Sequence, residues 1–176
     1  MAELMTALYR TFGEPLDHDT LFTWQRLLTN GRQDLHAVGR YRTHPEPMQV
    51  VSGRMDAPTV HFEAPPSTRV PAEMEAFVHW FNNAAALPPL TRAGVAHLYF
   101  VSIHPFEDGN GRIARALAEK TLAQSGGQPT LIALADTIER RRNAYYQALE
   151  RANKENEITP WLVYFAETIL DAQRHT

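Results

Sequence analysis

Nine consecutive residues, His104-Pro105-Phe106-Glu107-Asp108-Gly109-Asn110-Gly111-Arg112, carry the side chains that phosphate chemistry needs at close spacing. Histidine has the ordinary pKa nearest neutrality, so His104 can take up a proton at working pH. Gly109, Asn110 and Gly111 are residue types that tolerate left-handed backbone, and N–H groups in such a turn can converge on an anion. A helix starting directly behind them adds its free N–H groups and positive dipole end at the same point. Asp108 places one carboxylate beside it, and Mg²⁺ is typically held by one or two carboxylates plus substrate phosphates. Arg112 and Arg115 lie three apart, on one face of a helix, where two guanidinium groups can fork onto phosphate oxygens. Taken singly, each has a plain structural use as a cap, a corner or a surface ion pair. Together they make a site for phosphoryl or nucleotidyl transfer, in which cradle, metal and arginines each offset transition-state charge.

The elements that must position these residues are mostly helical. Leu21, Trp24 and Leu28 repeat at helical spacing behind an Asp17/Asp19/Thr20 start signal. Pro71 fits a first helical position, with Met74, Phe77, Val78 and Phe81 following on one face until Pro88-Pro89. From about Thr91 to Ile103 the chain is apolar almost all round, which predicts a helix in the middle of the core. It runs into His104-Pro105, and proline disfavours helical geometry at the residue before it. A new helix is expected from near Gly111 to Gly126-Gly127. Asp136 and Glu139 read as the capping pair of a single following helix that buries Ile138, Tyr145, Leu149 and Ala152. Thr159-Pro160 opens a last helix with Trp161, Phe165 and Ile169 inward.

One stretch differs. Between Thr43 and Pro66 there are five prolines, and Gln49-Val50-Val51 and Thr59-Val60-His61-Phe62 flank a turn-rich segment, which predicts an exposed β-hairpin flap. Its edge could recruit an extended peptide by strand addition, with Val60, His61 and Phe62 holding the segment. The fold class is therefore all-α with one small β-hairpin flap, in a single domain over residues 1–176 with linkers only at the two ends.

Composition narrows the function. The 176 residues carry a net charge of −3 and no cysteine. That gives no basic footprint for nucleic acid and excludes disulfides and thiolate metal sites. The longest apolar stretch, around Val95 to Ile103, is interrupted by His97 and Ser102 and is too short to span a bilayer. The first residues show no signal peptide, and a cytoplasmic location fits.

The nine residues read HPFEDGNGR, and this resembles the Fic-domain signature HPFx(D/E)GNGR at every fixed position. Gly39-Arg40-Tyr41-Arg42 and the Val50–Phe62 hairpin resemble the family's segment before the active site and its target-binding flap. Tyr145-Tyr146-Gln147-Ala148-Leu149-Glu150 resembles a later family helix. The resemblance implies a protein adenylyltransferase, which moves AMP from ATP to a Tyr, Thr or Ser hydroxyl of a target protein. It implies His104 as the general base, Phe106 as the loop's apolar anchor and Asp108 as the Mg²⁺ ligand. Gly109, Asn110 and Gly111 would be the anion cradle, with Arg112 and Arg115 on the outer phosphates and Tyr146 and Asn153 near adenine. Glu107 falls at the variable position and receives no role.

Many members also carry an inhibitory helix with (S/T)xxxE(G/N), and no such match occurs in this chain, since Arg151 stands where Lys154-Glu155-Asn156 would need Ser or Thr. The expectation is then a domain that does not inhibit itself, restrained by a segment upstream of the sequence or by a separate antitoxin-like protein. A homodimer is as compatible with the sequence as a monomer. Other readings keep the fold and transfer a different phosphate-containing group, or remove AMP, or make the chain a non-catalytic toxin–antitoxin module. Gly111 in place of lysine speaks against the kinase-like branch, the missing glutamate against AMP removal, and intact His104 and Asp108 against a pure scaffold.

Overall fold

The computed structural model describes residues 1–130 and 134–175. Within them the chain forms eight α-helices and one two-stranded hairpin. The helices are α1 (Ala2–Thr11), α2 (His18–Thr29), α3 (Val70–Asn83), α4 (Pro89–Ile103), α5 (Asn110–Gly126), α6 (Leu134–Arg140), α7 (Arg142–Lys154) and α8 (Thr159–Arg174). The hairpin pairs β1 (Gln49–Arg54) antiparallel with β2 (Ala57–Glu63), with a bulge between Val50 and Val51. The expected mainly helical fold with a β flap is what the chain forms.

The all-round apolarity of α4 is explained by its place. Ala93, Ala96, Phe100, Val101 and Ile103 are buried, with α3, α5 and α8 packed around it. At Gly94 a Cβ would come within 3.0 Å of the Leu162 side chain, so glycine permits the close approach of α8. There the Trp161 indole donates to the Gly94 carbonyl at 2.8 Å. His97, the polar interruption in this helix, is fully buried and contacts the Tyr145 hydroxyl through Nε2 at 2.8 Å. Burial holds its imidazole neutral, pushed down to about 3.

Three buried cations, Arg42, Arg92 and Lys120, share one solution. Each donates to carbonyls at a helix C-terminus, where orphan acceptors and the negative dipole end favour a cation. Lys120 caps α1 through Thr11 O (3.2 Å) and Phe12 O (3.1 Å). Arg92 reaches Phe81 O near the end of α3 (2.9 Å). Arg42 caps α4 through Ile103 O (3.1 Å) and His104 O (2.7 Å). The last of these bears directly on the site.

Two expectations fail. The first residues are not a linker, because α1 buries Leu4 and Leu8 one helical turn apart in the common core. The single helix through Ile138 and Leu149 is two. Arg141 leaves helical geometry (φ −126°, ψ 44°), and Asp136 sits inside α6. Both α6 and α7 pack on α8, and that packing, not any glycine or proline, sets the break.

Candidate functional site

The site begins where α4 stops. His104 is the C-cap, in left-handed backbone (φ 52°, ψ 59°), among the described residues the one non-glycine with positive φ. Such a backbone costs a β-carbon residue about 1–2 kcal/mol, so something must hold it. Pro105 bars continuation of the helix, His104 N–H returns to Phe100 O, and Arg42 grips His104 O. Arg42 also donates to Pro65 O at 2.6 Å, two residues after the end of β2, so one guanidinium ties the base of the flap to the site histidine.

The bend that follows is closed by two side chains. Phe106 is fully buried against Phe22, Tyr41 and Phe100. Asn110 is buried and uses its whole amide on the backbone of Phe106: Oδ1 accepts from Phe106 N–H (2.9 Å) and Nδ2 donates to Phe106 O (2.8 Å). Of Gly109, Asn110 and Gly111, all types that tolerate left-handed backbone, Gly109 alone adopts it (φ 93°), since Asn110 and Gly111 already begin α5. The Asn110 side chain therefore shapes the cradle without facing it. The cradle itself is the first turn of α5, whose leading N–H groups lie outside the helix's own ladder.

His104, Glu107, Asp108, Gly109, Asn110, Gly111, Arg112 and Arg115 enclose a cleft of about 270 Å³. That is just below the usual range of ligand pockets, roughly 300–1,000 Å³, and suits a phosphate chain more than a whole nucleotide. His104 Nδ1 lies 3.2 Å from Val101 O. A carbonyl only accepts, so Nδ1 carries the hydrogen and Nε2 keeps its lone pair. Burial pushes this imidazole down to about 4, opposed by the Val101 carbonyl, helped by the Arg42 guanidinium and opposed by the Asp108 carboxylate. It is neutral at pH 7. Arg115, across the cleft, has a buried Nε with no partner, and burial lowers its pKa. A desolvated guanidinium with an unmet donor favours an anion.

Asp108 is salt-bridged. Its Oδ2 receives Arg32 at 2.7 Å and Arg112 at 3.4 Å. Its other oxygen has no hydrogen bond and its side chain is 36% exposed. One free carboxylate oxygen beside an anion cradle fits Mg²⁺, which takes its remaining ligands from phosphates and water. Among the described residues no cluster of three or more His, Cys, Asp or Glu could hold a metal unaided, so such an ion would need the substrate's oxygens.

Several residues that shape the site have no signal in the local sequence. Arg32 bridges Asp34 and Asp108. Glu107, given no role above, accepts from the N–H groups of His36 and Ala37 at 3.0 and 3.2 Å. Gln25 is fully buried and takes the Gly39 N–H at 2.6 Å. These contacts span up to 76 residues and bind the loop after α2 onto the motif. The remaining expected site residues, Tyr146, Asn153, Val60, His61 and Phe62, lie outside the cleft. Asn153 donates to Leu149 O at 3.0 Å. Val60 is exposed, Phe62 is half-buried against the core, and His61 turns inward to stack on Tyr146.

Fold and site together define a mainly helical domain that presents a neutral imidazole beside the open first turn of a helix. Residues 15–122 match the Fic/DOC family, and the chain belongs to that family. It is 38% identical over 96 residues to the protein adenylyltransferase Fic of Drosophila virilis, covering 53% of this chain and 19% of that protein. It is 32% identical over 151 residues to the protein adenylyltransferase fic-1 of Caenorhabditis elegans, covering 85% of this chain and 26% of that one. The chain thus spans about a fifth to a quarter of the length of these curated relatives. A solved Fic family protein from Desulfovibrio desulfuricans has a TM-score of 0.77 and 30% identity, covering 98% of this chain and 51% of that one. Among the described residues no helix is long and apolar enough to cross a membrane.

Proposed function

We propose that this chain is a protein adenylyltransferase that moves AMP from ATP to a Tyr, Thr or Ser hydroxyl of a target protein. One observation carries the reading. The free lone pair of His104 shares a small cleft with Arg115, whose buried Nε has no partner, and with the open first turn of α5. His104 Nε2 takes the proton of the target hydroxyl as its oxygen bonds to the α phosphorus. The bond from that phosphorus to the β-bridging oxygen breaks, and pyrophosphate leaves. The α5 mouth, Arg112 and Arg115 hold the phosphates and meet the charge that builds on the leaving group. Asp108 would hold Mg²⁺ against the phosphates, where the ion neutralises their charge. For Arg112 this means exchanging its Asp108 contact for phosphate oxygen. Asn153 and the hydroxyl edge of Tyr146 border the base, and the flap carries the target segment.

The reaction class is tested by incubating the protein with cell lysate and ATP labelled at either the α or the γ phosphate. Label entering protein from the α position only is the expected result. Label from the γ position would make the chain a kinase-like member and overturn the reading.

The low pKa of His104 sets the pH dependence. The folded value lies below the ordinary 6.5, so the base form is present above about pH 4 and is lost as pH falls through that value. For transfer measured as kcat/KM over about pH 5 to 8, the profile should stay level on its acid side. An unperturbed histidine base would already lose most of its rate by about pH 5.5.

A further inference from the structure

We propose that His61 is a positioning residue, which clasps the hairpin onto α7 and so holds the flap in place beside the His104 site. Its functional half rests on the transferase reading above. A two-stranded hairpin has no core of its own and is at best marginally stable in water. This one needs external anchors, and the structure supplies two. The first is at its base, where Arg42 joins Pro65 O to His104 O. The second lies along β2. His61 is 7% exposed although Val60 beside it is 45% exposed. Its ring lies parallel to Tyr146 of α7, centroids 4.7 Å apart and planes 12° apart. Nε2 meets Ser52 Oγ of β1 at 2.6 Å, so the same imidazole joins both strands to the helix. Nδ1 has no hydrogen-bond partner and sits 3.7 Å from Glu150 Oε2, a carboxylate that Lys154 holds at 2.7 Å.

The two anchors do different work. The Arg42 anchor fixes where the hairpin is rooted. The His61 anchor fixes how the rest of it is tilted, and with it the exposed cross-strand pair Val51 and Val60 and the fully exposed Met55 at the tip. Those residues are the free surface a target segment would meet. Tyr146 is the other half of the clasp, with the Arg142 guanidinium 5.7 Å from its ring. Its ring stacks on His61, so adenine is left with its edge. Loosening the clasp should therefore weaken capture of the protein target and leave ATP binding alone.

The test compares wild type, His61→Ala and His61→Phe in three measurements. These are native tryptic cleavage after Arg54 near the hairpin tip, ATP affinity, and α-label transfer against lysate concentration. Loss of the stack in His61→Ala should speed cleavage and raise the half-saturating lysate concentration, each by about 10-fold. His61→Phe, which keeps a flat ring against Tyr146, should recover most of both, and ATP affinity should be equal in all three. Equal cleavage in wild type and His61→Ala would overturn the clasp. Faster cleavage with an unchanged half-saturating concentration would overturn its role in target capture. If wild type transfers no label, the transferase reading fails, and cleavage alone decides whether the clasp exists.

Discussion

Replacing His104 with alanine should slow α-label transfer by about 1,000-fold while leaving the dissociation constant for ATP unchanged. The size follows from its position. Of the residues lining the cleft, His104 alone offers a neutral nitrogen lone pair; Glu107 is spent on the His36 and Ala37 amides, and Asp108 is salt-bridged through Oδ2 to two arginines, its free oxygen being the one that would face Mg²⁺. The phosphates are held by other groups, so binding should survive. Quantified label transfer and nucleotide titration on the same preparation check this. A loss of ATP affinity alongside the rate would mean that the imidazole holds the cleft together and is not a base.

Arg42→Ala should have the largest effect on stability, on the order of 3–5 kcal/mol, because it strands three carbonyl oxygens and leaves a hole. Ile103 O, His104 O and Pro65 O all lose a charged donor at once. A domain of this size is stable by about 5–15 kcal/mol, so the midpoint of thermal unfolding should fall by roughly 10 °C. Arg42→Lys should recover only part of this, since one ammonium cannot reproduce the fork that spans helix end and flap base. The surviving folded protein should also transfer label poorly, because the clamp on the left-handed backbone of His104 is gone. A variant with unchanged melting and unchanged rate would show that the cap is dispensable.

The parts of this molecule that could be read from sequence are those set by local rules. Proline at 105 and glycine at 109 end one helix and begin the next, so His104 at a helix end before an anion-ready turn was legible. The apolar run into Ile103 predicts the central helix, and the two short β-type runs around Val50 and Val60, flanking a turn-rich segment, predict the hairpin. The unreadable parts depend on distant side chains. Glu107 looks like any surface carboxylate until the loop carrying His36 folds over it. Arg32 and Arg42 look like ordinary solvent-facing cations, yet one sits on Asp108 and the other is buried under the flap. His61 was expected to face a target peptide. A short β-type run does not say which side of the strand will be covered, and α7 covers the side that His61 occupies. Arg141 breaks a helix whose apolar spacing from Ile138 to Tyr145 continues unbroken, because a seven-residue interval fits one helix or two alike.

Transfer by this protein depends on one place, the mouth of α5 beside a neutral His104. A crystal structure of the wild-type protein with Mg²⁺ and an ATP analogue that cannot be cleaved between the α and β phosphorus tests it most directly. The predicted result is a triphosphate across the first turn of α5, with the α phosphorus on the His104 side and outer oxygens against Arg115. A nucleotide seated instead in the cavity lined by Phe12, Asn82, Arg92 and Gln124, with the mouth of α5 left to water, would contradict it.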